Sequence, residues 1–109
     1  MFGKDSFLFV YSMFPSEEVA AHVATEVINK RLAACANLIP GARSFYWWDG
    51  QVQDSRETVM VLKTVKAQWK ALELEIKTLH PYDVPAIIAL PIEAGSEDYL
   101  DWVAKETKI

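Results

Sequence analysis

The 109-residue chain has one cysteine, four glycines and no apolar run near the length of a membrane span, and each shortage excludes a class of protein. Cys35 alone cannot close an internal disulfide, so the chain is not a disulfide-stabilised secreted scaffold. Four glycines leave little material for a Gly-rich phosphate-binding loop. A membrane-spanning helix needs about 20 predominantly apolar residues in succession. These absences predict a cytoplasmic protein without a membrane partner.

Positive charge is also scarce. The chain has 11 Lys and Arg residues against 15 Asp and Glu, a formal net charge of −4. A nucleic-acid partner needs a basic face to meet the phosphates. The sequence therefore predicts no nucleic-acid partner. Hydrophobic residues make up 51% of the chain, which predicts one globular domain over residues 1–109.

The first half of the chain predicts a strand, a helix and a long hairpin. Residues 6–14 are rich in aromatic and β-branched types, and Pro15 ends this strand. Ser16 is a predicted N-cap for a helix that Lys30 and Arg31 close with the positive charges its C-terminus prefers. Residues 32–48 predict a strand with a kink or bulge at Pro40-Gly41. Asp49-Gly50 is a hairpin signal. The return arm is predicted to start at Gln51-Val52-Gln53 and, past a polar stretch, to become the strand 57–64.

The second half predicts another helix, a strand and a final helix. From about Lys66, apolar residues recur at helical spacing, and Pro81 ends the pattern. Residues 86–92 predict the last strand, and Ser96 caps a short terminal helix. The order predicts an α+β fold, namely a ferredoxin-like split β-α-β antiparallel sheet with both main helices on one face, plus a C-terminal helix.

The predicted strands are apolar on both faces. In residues 58–64 the alternating positions Val59 and Val61 are apolar, and so are Met60 and Leu62. A sheet with helices on one face should have polar residues on the other. We therefore expect an obligate oligomer that buries sheet against sheet, with the hairpin arm Arg43–Val52 reaching onto a neighbouring subunit.

Five motifs together resemble the CutA family of divalent-cation tolerance proteins. They are RLAACANLIPG (31–41), SFYWWDG (44–50), LKT (62–64), HPYDVP (80–85) and YLDW (99–102). The resemblance spans nearly the whole chain. It implies a small cytoplasmic protein with a ferredoxin-like fold, assembled as a stable homotrimer similar to PII-type signalling proteins, and linked to copper and divalent-metal tolerance.

His80 and Cys35 are the candidate metal ligands. An imidazole with a carboxylate suits Zn²⁺ or Cu²⁺, and a thiolate adds affinity for softer ions. The alternative for His80 is a charged cap on the last carbonyls of the second helix. The alternative for Cys35 is a buried small hydrophobe. The resemblance implies two further copper ligands where this chain has Ser12 and Leu79, so His80 is the one member of that set which this chain retains.

Lys63, Trp48, Tyr82 and Asp83 are candidates for a cleft between subunits, a grouping that the resemblance implies. Lys63 is a charge within an apolar strand. Three alternatives follow: its stem extends along the apolar surface to bring the ammonium to water, its ammonium pairs with a carboxylate such as Asp83, or it binds an anionic effector. Trp48 and its aromatic neighbours fit either a subunit interface or a stacked ligand.

Two functions follow, and neither is an enzyme. The first is a homotrimer in the response to divalent cations, binding Cu or Zn. The second is a PII-like trimer that binds a small anionic effector at clefts between subunits. The sequence has no nucleophile elbow, paired catalytic carboxylates or phosphate loop.

Overall fold

Four strands and three α-helices form along residues 7–108, the part of the chain that the computed structural model describes. Their bounds are β1 Phe7–Phe14, α1 Glu17–Asn29, β2 Cys35–Trp48, β3 Gln51–Val65, α2 Trp69–Leu79, β4 Ile87–Pro91 and α3 Glu97–Glu106, with a 3₁₀ turn over Lys66–Gln68 before α2. The predicted order of elements is confirmed. Ser6, the predicted start of the first strand, lies outside the described residues.

The element bounds differ from the prediction in two places. The return arm starts at Gln51 as predicted, and the polar stretch before residue 57, to which the prediction gave no strand, is part of β3, because each of its residues has a partner on β2. β2 begins at Cys35 rather than at residue 32, because Leu32 and Ala33 are buried in the turn that follows α1.

The four strands form one antiparallel sheet in the order β2-β3-β1-β4. β1 is central, and β2 and β4 are the edge strands. This confirms the α+β class with an antiparallel sheet.

Caps and cross-helix ion pairs hold the ends of α1. The Ser16 hydroxyl accepts a hydrogen bond from the Val19 backbone N–H at 3.2 Å, which confirms the predicted N-cap. The predicted other end is also confirmed, because α1 ends at Asn29 with Lys30 as its C-cap residue, although no basic residue lies within the last turn itself. Instead, the ammonium of Lys30 binds Glu75 of α2 at 2.7 Å, and the guanidinium of Arg31 binds Glu106 of α3 at 2.9 Å.

One face of the sheet carries the core. Alternate residues of the two inner strands pack against α1 and α2 and are fully buried, among them Val10, Phe14, Met60 and Leu62. Ser12 lies on this face too, with no solvent exposure, and its hydroxyl has no hydrogen-bond partner among the described atoms.

The opposite face, which we call the open face, carries the other alternate residues. They are Phe9, Tyr11 and Met13 of β1, Cys35, Asn37 and Ile39 of β2, Glu57, Val59, Val61 and Lys63 of β3, and Ile88 and Leu90 of β4. Ile39, Ile88 and Leu90 are each more than half exposed. The open face therefore presents apolar side chains to the outside of the chain.

The β2–β3 hairpin extends beyond the other strands and contains both predicted irregularities. The register shifts by one residue between Ile39 and Ala42, and Gly41 there has φ +82°. This is the predicted bulge. At the tip, Asp49 and Gly50 have φ values of +54° and +74°, the left-handed pair that a tight two-residue hairpin turn needs.

Candidate functional site

His80 lies where α2 ends and is held by both nitrogens of its ring. Nε2 is 2.7 Å from the Met13 carbonyl oxygen of β1, and Nδ1 accepts a hydrogen bond from the Tyr82 backbone N–H at 3.2 Å. A carbonyl can only accept, so Nε2 carries the proton and Nδ1 is bare. The imidazole is therefore neutral and joins the end of α2 to the end of β1.

Ring contacts and burial reinforce this assignment. The imidazole stacks on Phe14 with centroids 4.3 Å apart and is 8% exposed. Burial lowers the pKa of His80, although the Met13 hydrogen bond and the Glu57 charge act in the opposite direction. The alternative that His80 caps the second helix is confirmed in position, because His80 is the C-cap residue of α2, but the group that bonds the Ile76 carbonyl, at 2.9 Å, is the backbone N–H and not a charged imidazole. The imidazole turns to β1 instead.

Tyr82 connects this loop to β3. Its hydroxyl donates to the Glu57 carboxylate at 2.8 Å, and Glu57 is 7% exposed. Burial raises the pKa of Tyr82, and the hydrogen bond to Glu57 raises it further. Sequence reasoning missed Glu57 because a charged residue at the start of an apolar strand resembles a strand boundary.

Lys63 lies at the other end of the open face, among groups from three elements. Its ammonium donates to the Asn37 amide oxygen at 2.5 Å and points at the Cys35 sulfur 3.8 Å away. The phenol of Tyr99, from α3, lies beside the thiol. Burial and then the Cys35 neighbour raise the pKa of Tyr99. Asn37 and Tyr99 were not predicted, although the pairing of Cys35 opposite Lys63 places Asn37 on the same face two residues along.

The structure does not bring the predicted metal ligands together within one chain. Cys35 is opposite Lys63, whereas His80 packs at Phe14, which is opposite Thr58. Those β3 positions are five residues apart, roughly 16 Å along a strand. Within residues 7–108 there is no group of three or more His, Cys, Asp or Glu side chains that could hold a metal ion. In one chain, His80 and Cys35 do not form a metal site.

The cleft candidates are likewise dispersed in one chain. Trp48 pairs with Gln51 at the hairpin tip, twelve residues from Lys63 along β3, or about 40 Å. Tyr82 is at the Glu57 end. Asp83 is exposed, and the ion pairs seen between residues 7 and 108 do not include the predicted pair of Lys63 with Asp83.

No helix in the described part of the chain is long and apolar enough to cross a membrane.

Comparison with known proteins places these residues in one family. The family model for the CutA1 divalent ion tolerance protein matches residues 8–106. The divalent-cation tolerance protein CutA of Pyrococcus horikoshii is 46% identical over 101 residues, which are 93% of this chain and 98% of that protein.

Solved structures agree with the sequence match. The divalent cation tolerance protein of Thermus thermophilus superposes with a TM-score of 0.90 at 42% identity, covering 94% of this chain and 99% of that one. The Archaeoglobus fulgidus CutA, described as periplasmic, gives 0.91 at 36% identity over the same shares. With the family model matching nearly its whole length and close relatives agreeing in sequence and fold, the chain belongs to the CutA1 family of divalent ion tolerance proteins.

Proposed function

We propose that this chain works as a homotrimer in the cellular response to divalent cations, with its open faces buried between subunits. The observation that carries the proposal is the apolar open face, on which Ile39, Ile88 and Leu90 are 54%, 51% and 53% exposed. Soluble proteins seldom leave such a contiguous apolar surface uncovered, and the helices α1 and α2 occupy the other side of the sheet. A second and third copy are the natural cover.

The same proposal includes the finer description of the fold. The strand order β2-β3-β1-β4, with α1 and α2 on one face, supports a ferredoxin-like split β-α-β arrangement in a single domain over residues 1–109. Residues 1–6 and 109 of that range lie outside the described part of the chain.

The hairpin arm provides a second contact between subunits. At its end, Trp47 is 74% exposed, Phe45 61% and Val52 58%. Aromatic residues are enriched at protein interfaces because they bury a large area at a small entropic cost. Their exposure supports an arm that lies on a neighbouring subunit.

Binding of Cu or Zn is a separate part of the proposal. His80 and Cys35 do not fit a metal within one chain, because both nitrogens of His80 are engaged and the Lys63 ammonium points at Cys35. A site that uses Cys35 needs ligands from another subunit, and a site that uses His80 also needs the imidazole to rearrange. A metal ion bound there would be sequestered. We propose no enzymatic step, and the relatives are named as tolerance proteins rather than as enzymes.

Two measurements test the proposal. Light scattering after size-exclusion chromatography should give the mass of three chains at low micromolar concentration, and a monomer would contradict the assembly. Metal analysis and calorimetry with Cu²⁺ and Zn²⁺ on untagged protein then test the ligands. Binding should be lost in His80→Ala and Cys35→Ser and kept in His22→Ala, which removes an exposed imidazole from α1. Equal binding in all variants would exclude the predicted ligands.

One observation favours the second candidate, a PII-like trimer that binds a small anionic effector. None of the ion pairs formed between residues 7 and 108 includes the ammonium of Lys63, a partly buried residue. An anionic effector would compensate this charge, with Trp48, Tyr82 and Asp83 supplied from neighbouring subunits. Calorimetry with a panel of nucleotides tests this candidate, since binding should weaken with salt and disappear in Lys63→Ala.

The cytoplasmic location is also a proposal. It is supported by the single cysteine, which leaves no internal disulfide that would require an oxidising compartment. Fractionation of cells that express the untagged protein tests it, and recovery in the periplasm, the location given for the A. fulgidus relative, would contradict it.

A further inference from the structure

Two opposite charges lie on the open face of β3, one at each end of its apolar stretch. Lys63 is at one end and Glu57 at the other, with Val59 and Val61 between them on the same face. Both charged side chains are at least partly removed from water. A charge that is removed from water without an opposite charge nearby is destabilising, because no attraction offsets its desolvation, and this applies most to the buried Glu57.

The surroundings of Lys63 satisfy its hydrogen bonds but not its charge. The groups near the ammonium are the Asn37 amide oxygen at 2.5 Å and the Cys35 sulfur at 3.8 Å, with the Tyr99 phenol beside that sulfur. None of them is a carboxylate. A negatively charged group from outside the chain would therefore complete the surroundings of the Lys63 ammonium.

Glu57 likewise lacks an ion-pair partner within residues 7–108. Its carboxylate is 7% exposed and accepts a hydrogen bond from the neutral Tyr82 hydroxyl. The neighbouring imidazole of His80 is neutral, and the Arg43 guanidinium is occupied by both oxygens of Asp54. Between residues 7 and 108, no ion pair reaches Glu57.

The two charges cannot neutralise each other within one chain. They are six residues apart on one straight strand, or about 20 Å. Between two copies the distance is no obstacle, because a surface with a cation at one end and an anion at the other is complementary to a second copy of itself. A closed ring of subunits uses such head-to-tail contacts, in which different ends of the surface meet.

We propose that Lys63 of one subunit forms an ion pair with Glu57 of the next, so that each cleft of the trimer joins the Cys35–Asn37–Tyr99 side of one copy to the Tyr82 side of its neighbour. The pair rests on the proposed trimer and adds to it the contact that sets the register of the subunits. It also makes Lys63 a structural partner and not a free effector site.

Charge reversal tests the pair. Lys63→Glu and Glu57→Lys should each place like charges together and raise the dissociation constant of the trimer at least about ten-fold, measured by mass photometry at nanomolar concentrations. The double variant Lys63→Glu/Glu57→Lys should recover most of the loss. Recovery cannot arise inside one chain, because the two positions are out of reach of each other. Lys70→Glu, a reversal on an exposed position of α2, should leave the mass unchanged.

A neutral set covers the case in which Glu57→Lys fails to fold. A double-mutant cycle compares Lys63→Met, Glu57→Gln and their combination. The double variant should raise the dissociation constant of the trimer no more than the worse single variant does. If the losses of trimer stability in the two single variants simply add in the double variant, and all variants keep the wild-type circular dichroism, the ion pair is overturned. The proposed trimer is not affected by that result. A wild-type protein that is monomeric would instead overturn the trimer itself.

Discussion

The two faces of the sheet share the same strands but differ in what covers them. On the face toward the helices, Val10, Phe14 and Met60 have no exposed surface at all. On the open face, their sequence neighbours on β1 and β3 are partly exposed, and Ile88 and Leu90 of β4 are more than half exposed. A strand with apolar residues on both faces therefore encodes two packing surfaces, and this chain supplies the cover for one of them. The following variants test that contrast.

The largest effect is expected at the covered face. Phe14→Ala removes a fully buried ring that stacks on His80, and should lower the free energy of unfolding by about 3–5 kcal/mol. Phe45→Ala makes the same chemical change on a ring that is 61% exposed in the chain. Urea denaturation at a fixed protein concentration compares them. A loss at Phe45 as large as that at Phe14 would mean that the arm is as deeply packed as the core.

Substitutions on the open face should weaken assembly of the subunits and leave the folding of one chain intact. Ile88→Asp combined with Leu90→Asp places two carboxylates where two apolar side chains would be buried between subunits. At about 1.5–3 kcal/mol for each lost side chain, the dissociation constant should rise on the order of a hundred-fold or more. Light scattering across a dilution series measures the change. Leu74→Asp is the control, because Leu74 is 67% exposed on the helix side. Equal effects from both changes would mean that the open face is not a special surface.

His80 should make stability depend on pH. In the folded chain its pKa is lowered, whereas in the unfolded chain it is near 6.5. Protonation therefore favours the unfolded state, so the contribution is complete above about pH 6.5 and is lost as pH falls through the folded pKa. Urea midpoints between pH 7.5 and 5 should show this slope in wild type and His22→Gln.

The slope should be reduced in His80→Gln. This variant should also lose about 1–2 kcal/mol at neutral pH, because the ring contacts and one hydrogen bond are removed. An unchanged slope would assign the pH dependence to the carboxylates.

Ser12 should show the smallest effect. Its buried hydroxyl has no hydrogen-bond partner within residues 7–108, so Ser12→Ala should be neutral or stabilise the fold by up to about 1 kcal/mol. Thermal denaturation measures this, with Ser16→Ala as a contrast, since that change removes an N-cap and should destabilise by about 1 kcal/mol. A clear loss at Ser12 would indicate a buried water that bonds the hydroxyl.

Local signals predicted most of the fold. Ser16 before two glutamates, Pro15 and Pro81 as stops, and Asp49-Gly50 between two strands each act within a few residues, and all are confirmed. The polar residues before Glu57 were predicted as part of the hairpin arm but not as strand, because strand propensity ignores the partner strand that holds them.

The contacts of the candidate site could not be predicted in the same way. The bond from His80 to Met13 joins residues 67 positions apart, and that from Tyr82 to Glu57 joins residues 25 positions apart. Such contacts depend on how α2 and the following loop pack on the sheet, which no periodicity records. The sequence identified Lys63, His80 and Tyr82 as residues of interest, but their partners required the fold.

The bulge at Pro40-Gly41 exchanges which residues of β2, odd-numbered or even-numbered, lie on a given side of the sheet. Before it, odd-numbered residues of β2 face the same side as Lys63; after it, Ala42 pairs with Glu57, so even-numbered residues take that side. Tyr46 and Trp48 therefore share a side with the open face, while Phe45 and Trp47 point the opposite way. Deleting Gly41 alone would exchange the two aromatic sets without changing one of their side chains. A single residue thus sets which chemistry the arm offers to whatever lies on either side of it.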